Sequence, residues 1–254
     1  MKINRFIYSN KYLCDKIIIL LTATIDPKGM IYLRRSDPNI REKDYICALK
    51  YYLEHTYQKI VFVENSNYNL EKIYNLVEKY PKERVEILQF NGNDFPRELG
   101  KGYGELKIID YALKNSTYIK ENSLVLKING RLIVKNILLI IKEISKYEDV
   151  YVCVDLYRGL TFADSRIFFF KPGFIINYLL RFHNVINDSK GIVFEDILAK
   201  ATLLSIADGR KWLPIVIRPR IFGYSGGKNI RYNEFIFWYF IKNIKNRLKN
   251  YLIL

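Results

Sequence analysis

From Lys16 to Leu156, short apolar runs alternate with stretches of helical periodicity. That alternation restricts the chain more than any other feature. Lys16–Thr24 (KIIILLTAT), Lys59–Glu64 (KIVFVE), Val85–Phe90 (VEILQF), Ser123–Ile128 (SLVLKI) and Asp149–Leu156 (DVYVCVDL) read as buried strands. Between the first two, Ser36 or Asp37 caps a helix with Pro38 in its first turn, and Ile40, Tyr45, Leu49 and Leu53 follow at helical spacing. Asn69–Tyr80, Tyr103–Lys114 and Val134–Tyr147 read as further helices. Parallel strands need a crossover, usually a helix, so this pattern predicts an α/β fold with a largely parallel sheet. Right-handed crossovers then set helices on both faces.

The second half varies the theme. Arg166–Phe170 and Pro214–Phe222 read as strands, the latter ending in GYSGG; Pro172–Phe182 and Val193–Ser205 read as helices. No repeat or linker interrupts the chain. Residues 1–232 are expected to form one Rossmann-like domain, with residues 233–254 a final helix capped by Asn233.

Half of the 254 residues are hydrophobic and 15% aromatic, too much apolar content for a disordered chain. No apolar run reaches the roughly 20 residues of a membrane span, and the N-terminal stretch shows no signal-peptide core. Cys14, Cys47 and Cys153 are far apart, which argues against a disulfide framework or a zinc site and points to the cytoplasm. Neither His55 nor His183 has a second ligand at metal spacing. Lys plus Arg number 41 against 26 Asp plus Glu, a net charge of +15. Nucleic acid, an anionic membrane face or a phosphorylated small molecule would match that charge. The basic residues are dispersed, and no nucleic-acid-binding motif is present, which argues against nucleic acid.

In open α/β sheets, sites lie beyond the carboxyl ends of strands. Asn91–Glu105 (NGNDFPRELGKGYGE) follows a strand and opens a helix. Gly100, Gly102 and Gly104 read either as a plain turn or as a loop admitting a phosphate, with Lys101 adding a charge. In KINGR (Lys127–Arg131), two cations flank Asn129 and Gly130, either as a solvated turn or as a phosphate contact through Arg131. Glu64 reads as an acceptor for a ribose hydroxyl or base edge, while Asn65 and Ser66 serve equally well as helix caps. Asp164 and Arg166 either pair with each other or hold a ligand. Glu195 and Asp196 open a helix, where its dipole already favours acids; either also suits a general base. In the tail, Phe237, Ile241, Ile244, Leu248 and Tyr251 share one helical face beside Lys242, Lys245 and Lys249. That pattern suits a helix lying in an anionic membrane surface.

The order LLTATI, DPNIREKDYICALKYYL, KIVFVENSNYNL, GKGYGELKIIDYAL, LKINGRLIVKN, FADSRIFFF, GIVFEDILAKA resembles a family of bacterial glycosyltransferases from capsule and lipopolysaccharide O-antigen clusters, from Ile17 to Ala201. The resemblance implies a GT-A-like fold and transfer of a sugar from a nucleotide-sugar donor, UDP-linked by preference, to a lipid-linked or oligosaccharide acceptor. It implies donor contacts from Thr22, Ala23, Thr24, Glu64, Asn65, Lys101, Gly102, Gly104, Lys127, Asn129 and Arg131. Glu195, or failing it Asp196, would be the base of an inverting transfer, with Asp164 and Arg166 positioning sugar or acceptor. KINGR stands where the family carries KxTGRY-like sequences, with Asn129 for the Thr and Leu132 for the Tyr. Many GT-A enzymes hold Mn²⁺ or Mg²⁺ there on a DxD motif. The cations here imply metal-independent transfer, with Asp155 and Asp164 as fallback ligands. A CMP-sugar or retaining transferase, a nucleic-acid-binding protein and an inactive membrane scaffold are the competing readings. The expected location is the inner face of the cytoplasmic membrane.

Overall fold

The computed structural model describes residues 17–233 together with Tyr239, Ile241, Asn243 and Ile244. A seven-stranded sheet forms its centre, with strand order β10-β6-β9-β4-β1-β2-β3. Strands β1 (Ile17–Ala23), β2 (Ile60–Glu64), β3 (Val85–Gln89) and β4 (Leu124–Asn129) pair in parallel. They are the apolar runs of the sequence; β1, β2 and the middle of β4 are buried on both faces, whereas β3, at the sheet edge, fully buries only Val85. Beyond β4, β9 (Ile167–Phe170) runs antiparallel to both β4 and β6 (Val152–Cys153), and β10 (Trp212–Leu213) is parallel to β6. The sheet is therefore mixed and mostly parallel.

Alternate residues of β1 serve opposite faces. Ile17, Ile19 and Leu21 pack with Tyr45, Leu49 and Tyr52 of α1 (Pro38–His55), Ile73 of α2 (Glu71–Val77) and the isoleucines of α4 (Ile137–Ile144). Ile18 and Leu20 pack with Leu106, Ile109 and Ala112 of α3 (Gly100–Asn115) and with Ile197 and Leu198 of α5 (Phe194–Ala207). Asp37 caps α1, accepting from the amides of Asn39 and Ile40.

Several expected elements are shorter or irregular. The strand expected over Asp149–Leu156 is reduced to β6 and β7 (Leu156–Tyr157); β7 pairs with β8 (Phe162–Ala163). The helix expected over Pro172–Phe182 is one α-turn followed by π-helical and 3₁₀ stretches. Of Pro214–Phe222, only Ile221 and Phe222 are strand, in β11 (Ile221–Tyr224), because Pro214 and Pro219 donate no ladder hydrogen bonds. Antiparallel pairing of β11 with β5 (Ile133–Val134) and β12 (Arg231–Asn233) forms a small sheet that brings the GYSGG turn back over β4.

The expected final helix lies largely outside the described residues, and Asn233, expected as its cap, ends β12. Tyr239 is buried, its hydroxyl accepting from Asn136 at 2.9 Å and donating to the Arg218 carbonyl at 3.1 Å. Ile241 and Ile244 are exposed. Among the described residues, no helix is long and apolar enough to cross a membrane.

Candidate functional site

The strand order reverses between β1 and β4, and a crevice forms beyond their carboxyl ends, as expected at such a switch point. Thr22 stands opposite Asn129 in the parallel register, and the Gly130 amide donates to the Thr22 carbonyl at 2.9 Å. A Cβ on Gly130 would lie 2.8 Å from that oxygen, so the chain can cross here only as glycine. The cleft above holds about 830 Å³ of open space. It gathers Thr22, Ala23, Thr24, Asn65, Lys101, Gly102, Gly104, Asn129, Arg131 and Glu195 from the sequence expectations.

Five of the expected residues do not line this cleft. Glu64 is fully buried and accepts from the amides of Ile25 (3.0 Å) and Ser66 (2.9 Å), tying the β1–α1 loop to the end of β2. Lys127 is also fully buried. Its ammonium lies 2.5 Å from Glu105 Oε1 and 2.7 Å from the Ser165 carbonyl, and it also donates to Asn129 Oδ1. Glu105 in turn accepts from Thr22 Oγ1 at 2.8 Å and faces the cleft. Asp196 accepts from the Val193 amide at 3.4 Å and closes the first turn of α5. Asp164 holds the guanidinium of Arg166 through two parallel bonds of 2.8 and 2.6 Å. That bidentate bond holds the Arg166 guanidinium above its ordinary pKa, against the cost of burial.

The glycine-rich segment is helix rather than loop. Glycine is a poor helix former, but α3 begins at Gly100 because its first turns need close approach. A Cβ on Gly102 would lie 2.8 Å from Phe194 Cβ, and one on Gly104 3.1 Å from Phe95 Cζ. Asp188 caps this helix, its Oδ2 accepting from the Lys101 amide at 3.1 Å. Burial raises the Asp188 carboxyl above the usual range, an effect opposed by the charge and amide of Lys101.

Glu195 stands at the start of α5, its Oε1 accepting from Ser165 Oγ at 2.8 Å. It lines both the cleft and an adjoining groove that contains Asp164, Arg166, Tyr157, Tyr224 and Tyr232. Lys101, Asn129, Arg131, Ser165 and Glu195 belong to both cavities and form the wall between them.

Sequence reasoning missed several lining residues, among them Asp188, Arg41 and Tyr45. Asp188 lies 87 positions from its partner, with no local signal. Arg41 and Tyr45 read as ordinary helix positions; their i,i+4 spacing after a strand-end loop was the available sign. Arg41 is 4% exposed and donates to the carbonyls of Thr24 (2.8 Å from Nε) and Arg35 (3.0 Å) and to the Tyr45 hydroxyl (3.2 Å).

The carboxylates suggested for a divalent ion are otherwise engaged. Asp155 accepts from the Ile215 amide at 2.8 Å and the Tyr157 hydroxyl at 3.3 Å, while Asp164 serves Arg166. Among the described residues, no three His, Cys, Asp or Glu side chains are grouped to hold a metal.

No family model matches the chain, and no curated protein does. Among solved structures, it is similar to a mannosyltransferase from Pyrobaculum calidifontis in complex with GDP-Man and Mn²⁺, at 10% identity and a TM-score of 0.46. That match covers 82% of this chain and 61% of the mannosyltransferase, less than two thirds of its length. A second similar structure is mouse xyloside xylosyltransferase 1 (10% identity, 77% and 83% of the two chains, TM-score 0.41). A third is a cytidylyltransferase from Leptospira borgpetersenii serovar Hardjo-bovis (15% identity, 78% and 75%, TM-score 0.43).

Proposed function

We propose that the chain is a glycosyltransferase of GT-A-like fold, transferring a sugar from a nucleotide-sugar donor to a hydroxyl of a glycan acceptor. The observation that carries this reading is the Glu195 carboxylate, which lines the cleft and the groove at once. In a single-displacement transfer the base stands beside the acceptor hydroxyl, where donor and acceptor meet. One carboxylate oxygen is fixed by Ser165, and the other has no partner among the described residues.

In this reading the nucleotide sits in the cleft over β1 and β2, against Thr22–Thr24 and Asn65. Its phosphates meet Lys101 and Arg131. The acceptor enters along the tyrosine-lined groove, where Asp164 and Arg166 face the incoming sugar. Glu195 takes the acceptor hydroxyl proton as the oxygen attacks the anomeric carbon, inverting it; the bond to the diphosphate breaks and its electrons leave with the phosphate oxygen. Charge growing on that leaving group is met by fixed cations, so the transfer proceeds without a metal ion.

A UDP-sugar is the favoured donor, and a lipid-linked or surface oligosaccharide of the capsule or O-antigen kind the favoured acceptor. The basic tail and the exposed Ile241 and Ile244 support a peripheral position on the inner membrane face. The test is a binding and turnover screen of UDP-, GDP-, CMP- and dTDP-sugars with EDTA or Mn²⁺. Turnover of one donor, undiminished in EDTA, is expected. Rescue only by Mn²⁺ would remove the metal-free mechanism, and hydrolysis or transfer with CMP-sugars alone would redirect the donor assignment.

A further inference from the structure

We propose that Lys127 is a positioning residue for the transfer: its ammonium fixes Ser165, and through Ser165 the Glu195 base, against the donor side of the cleft. A lysine with no exposed surface is rare, and its charge must be matched where it lies. Its three ammonium hydrogens have three acceptors: Glu105 Oε1 at 2.5 Å, the Ser165 carbonyl at 2.7 Å, and Asn129 Oδ1. Each acceptor belongs to a residue that lines the cleft, while Lys127 itself does not. They come from three elements: Glu105 from α3, Asn129 from the end of β4, and Ser165 from the turn before β9.

Ser165 is the partner that most needs a tether. The ladder between β4 and β9 runs from the Val125–Phe170 pair to Ile128–Ile167. Beyond it, the Asn129 amide donates to the Arg166 carbonyl at 3.0 Å, one residue short of Ser165. The Lys127 ammonium supplies the next bond, and the Ser165 hydroxyl passes the constraint to Glu195 Oε1 at 2.8 Å. The same ammonium holds Glu105, which accepts from Thr22 Oγ1 at 2.8 Å on the donor side. Stability alone does not call for this ion pair. Well-packed apolar side chains in place of a buried pair are often as stable or more so. What they lack is a donor for the Ser165 carbonyl.

This inference rests on the glycosyltransferase reading and names a residue that acts behind its base. The test uses the full chain carrying Lys127→Met with Glu105→Leu, a pair that removes the charges together. Its melting temperature should stay near that of wild type, while kcat falls about tenfold to a hundredfold, the scale of a misplaced reacting group. In a Ser165→Ala background the same two substitutions should cost little more, because residues acting in one network are not additive. Should the double variant not fold, Lys127→Gln with Glu105→Gln, a neutral hydrogen-bonding pair, carries the same comparison. A wild-type kcat in the folded variant, or a loss that simply adds to that of Ser165→Ala, overturns the proposal. A second reading needs no turnover. The ¹³C resonance of the Glu195 carboxyl, assigned by its loss in Glu195→Gln, should move in the double variant as it moves in Ser165→Ala. An unmoved resonance overturns the proposal as well. A resonance that moves, in a chain whose wild type turns over no sugar nucleotide, keeps Lys127 as the anchor of Glu195 and removes the glycosyltransferase reading.

Discussion

Ser165 donates its hydroxyl proton to Glu195 Oε1 at 2.8 Å, joining the residues before β9 to the first turn of α5. The bond holds one oxygen of the carboxylate and leaves the other toward the cavities. Glu195→Gln should therefore lower kcat by about 10²–10⁴, the usual worth of a positioned base, with donor binding retained. Steady-state kinetics beside donor calorimetry check this. Ser165→Ala should lower kcat less and move the pH–rate profile, as a positioning residue does. Asp196→Ala should instead lose only the bond to the Val193 amide, at most about 1 kcal/mol of stability, with kcat near normal.

Gly102→Ala puts a methyl group 2.8 Å from Phe194 Cβ, where α3 meets α5. Overpacking of this kind costs about 1–3 kcal/mol. A fall in denaturation midpoint should come with weaker donor binding, because the same contact sets the distance between Lys101 and Glu195.

Lys127 and Glu105 form an ion pair at the cleft floor, with the ammonium wholly out of water. Lys127→Met leaves Glu105 unmatched, and removing one partner of such a pair costs about 3–5 kcal/mol. Lys127→Met combined with Glu105→Leu should recover much of that loss. A double-mutant cycle on urea unfolding reads the difference.

Asp188 carries a carboxyl raised by burial above its ordinary value of 3.8. The folded chain then binds that proton more tightly than the unfolded chain does. As pH rises above the ordinary value, the unfolded state loses its proton first, so this group's contribution to stability falls until its raised pKa is passed. Asp188→Asn keeps a helix cap and removes the titration. Its melting temperature relative to wild type should rise as pH climbs from about 3 toward neutrality.

Ile241 and Ile244 are exposed while Tyr239 is buried against Asn136 and Arg218. Replacing both isoleucines with Ser should weaken binding to anionic lipid vesicles and leave the melting temperature unchanged. Tyr239→Ala should do the reverse to stability, lowering it by about 3–5 kcal/mol, the upper range for a large buried side chain.

The first four strands were legible because each is an apolar run between turns, and Asp37-Pro38 marked a helix start. The second half was less so. Its strands are two to four residues long, and prolines at 214 and 219 break the apolar pattern that reads as one strand. The glycines at 100, 102 and 104 look like loop by propensity; the close approach of Asp188, Phe194 and Phe95 explains them at the start of a helix. Strand-end placement brought out much of the cleft. It could not separate residues whose side chains face it, such as Asn65 and Asn129, from neighbours turned inward, such as Glu64 and Lys127. That distinction depends on the partners of Glu64 and Lys127, and those lie across the fold.

In the proposed transfer, the wall shared by cleft and groove brings both substrates against the same residues. A molecule in the groove stands against the same Lys101, Arg131 and Glu195 that a molecule in the cleft needs. Initial-rate plots for the two substrates should then intersect, as for a ternary complex, rather than run parallel. The spent nucleotide should leave last, and it should inhibit competitively against donor but not against acceptor.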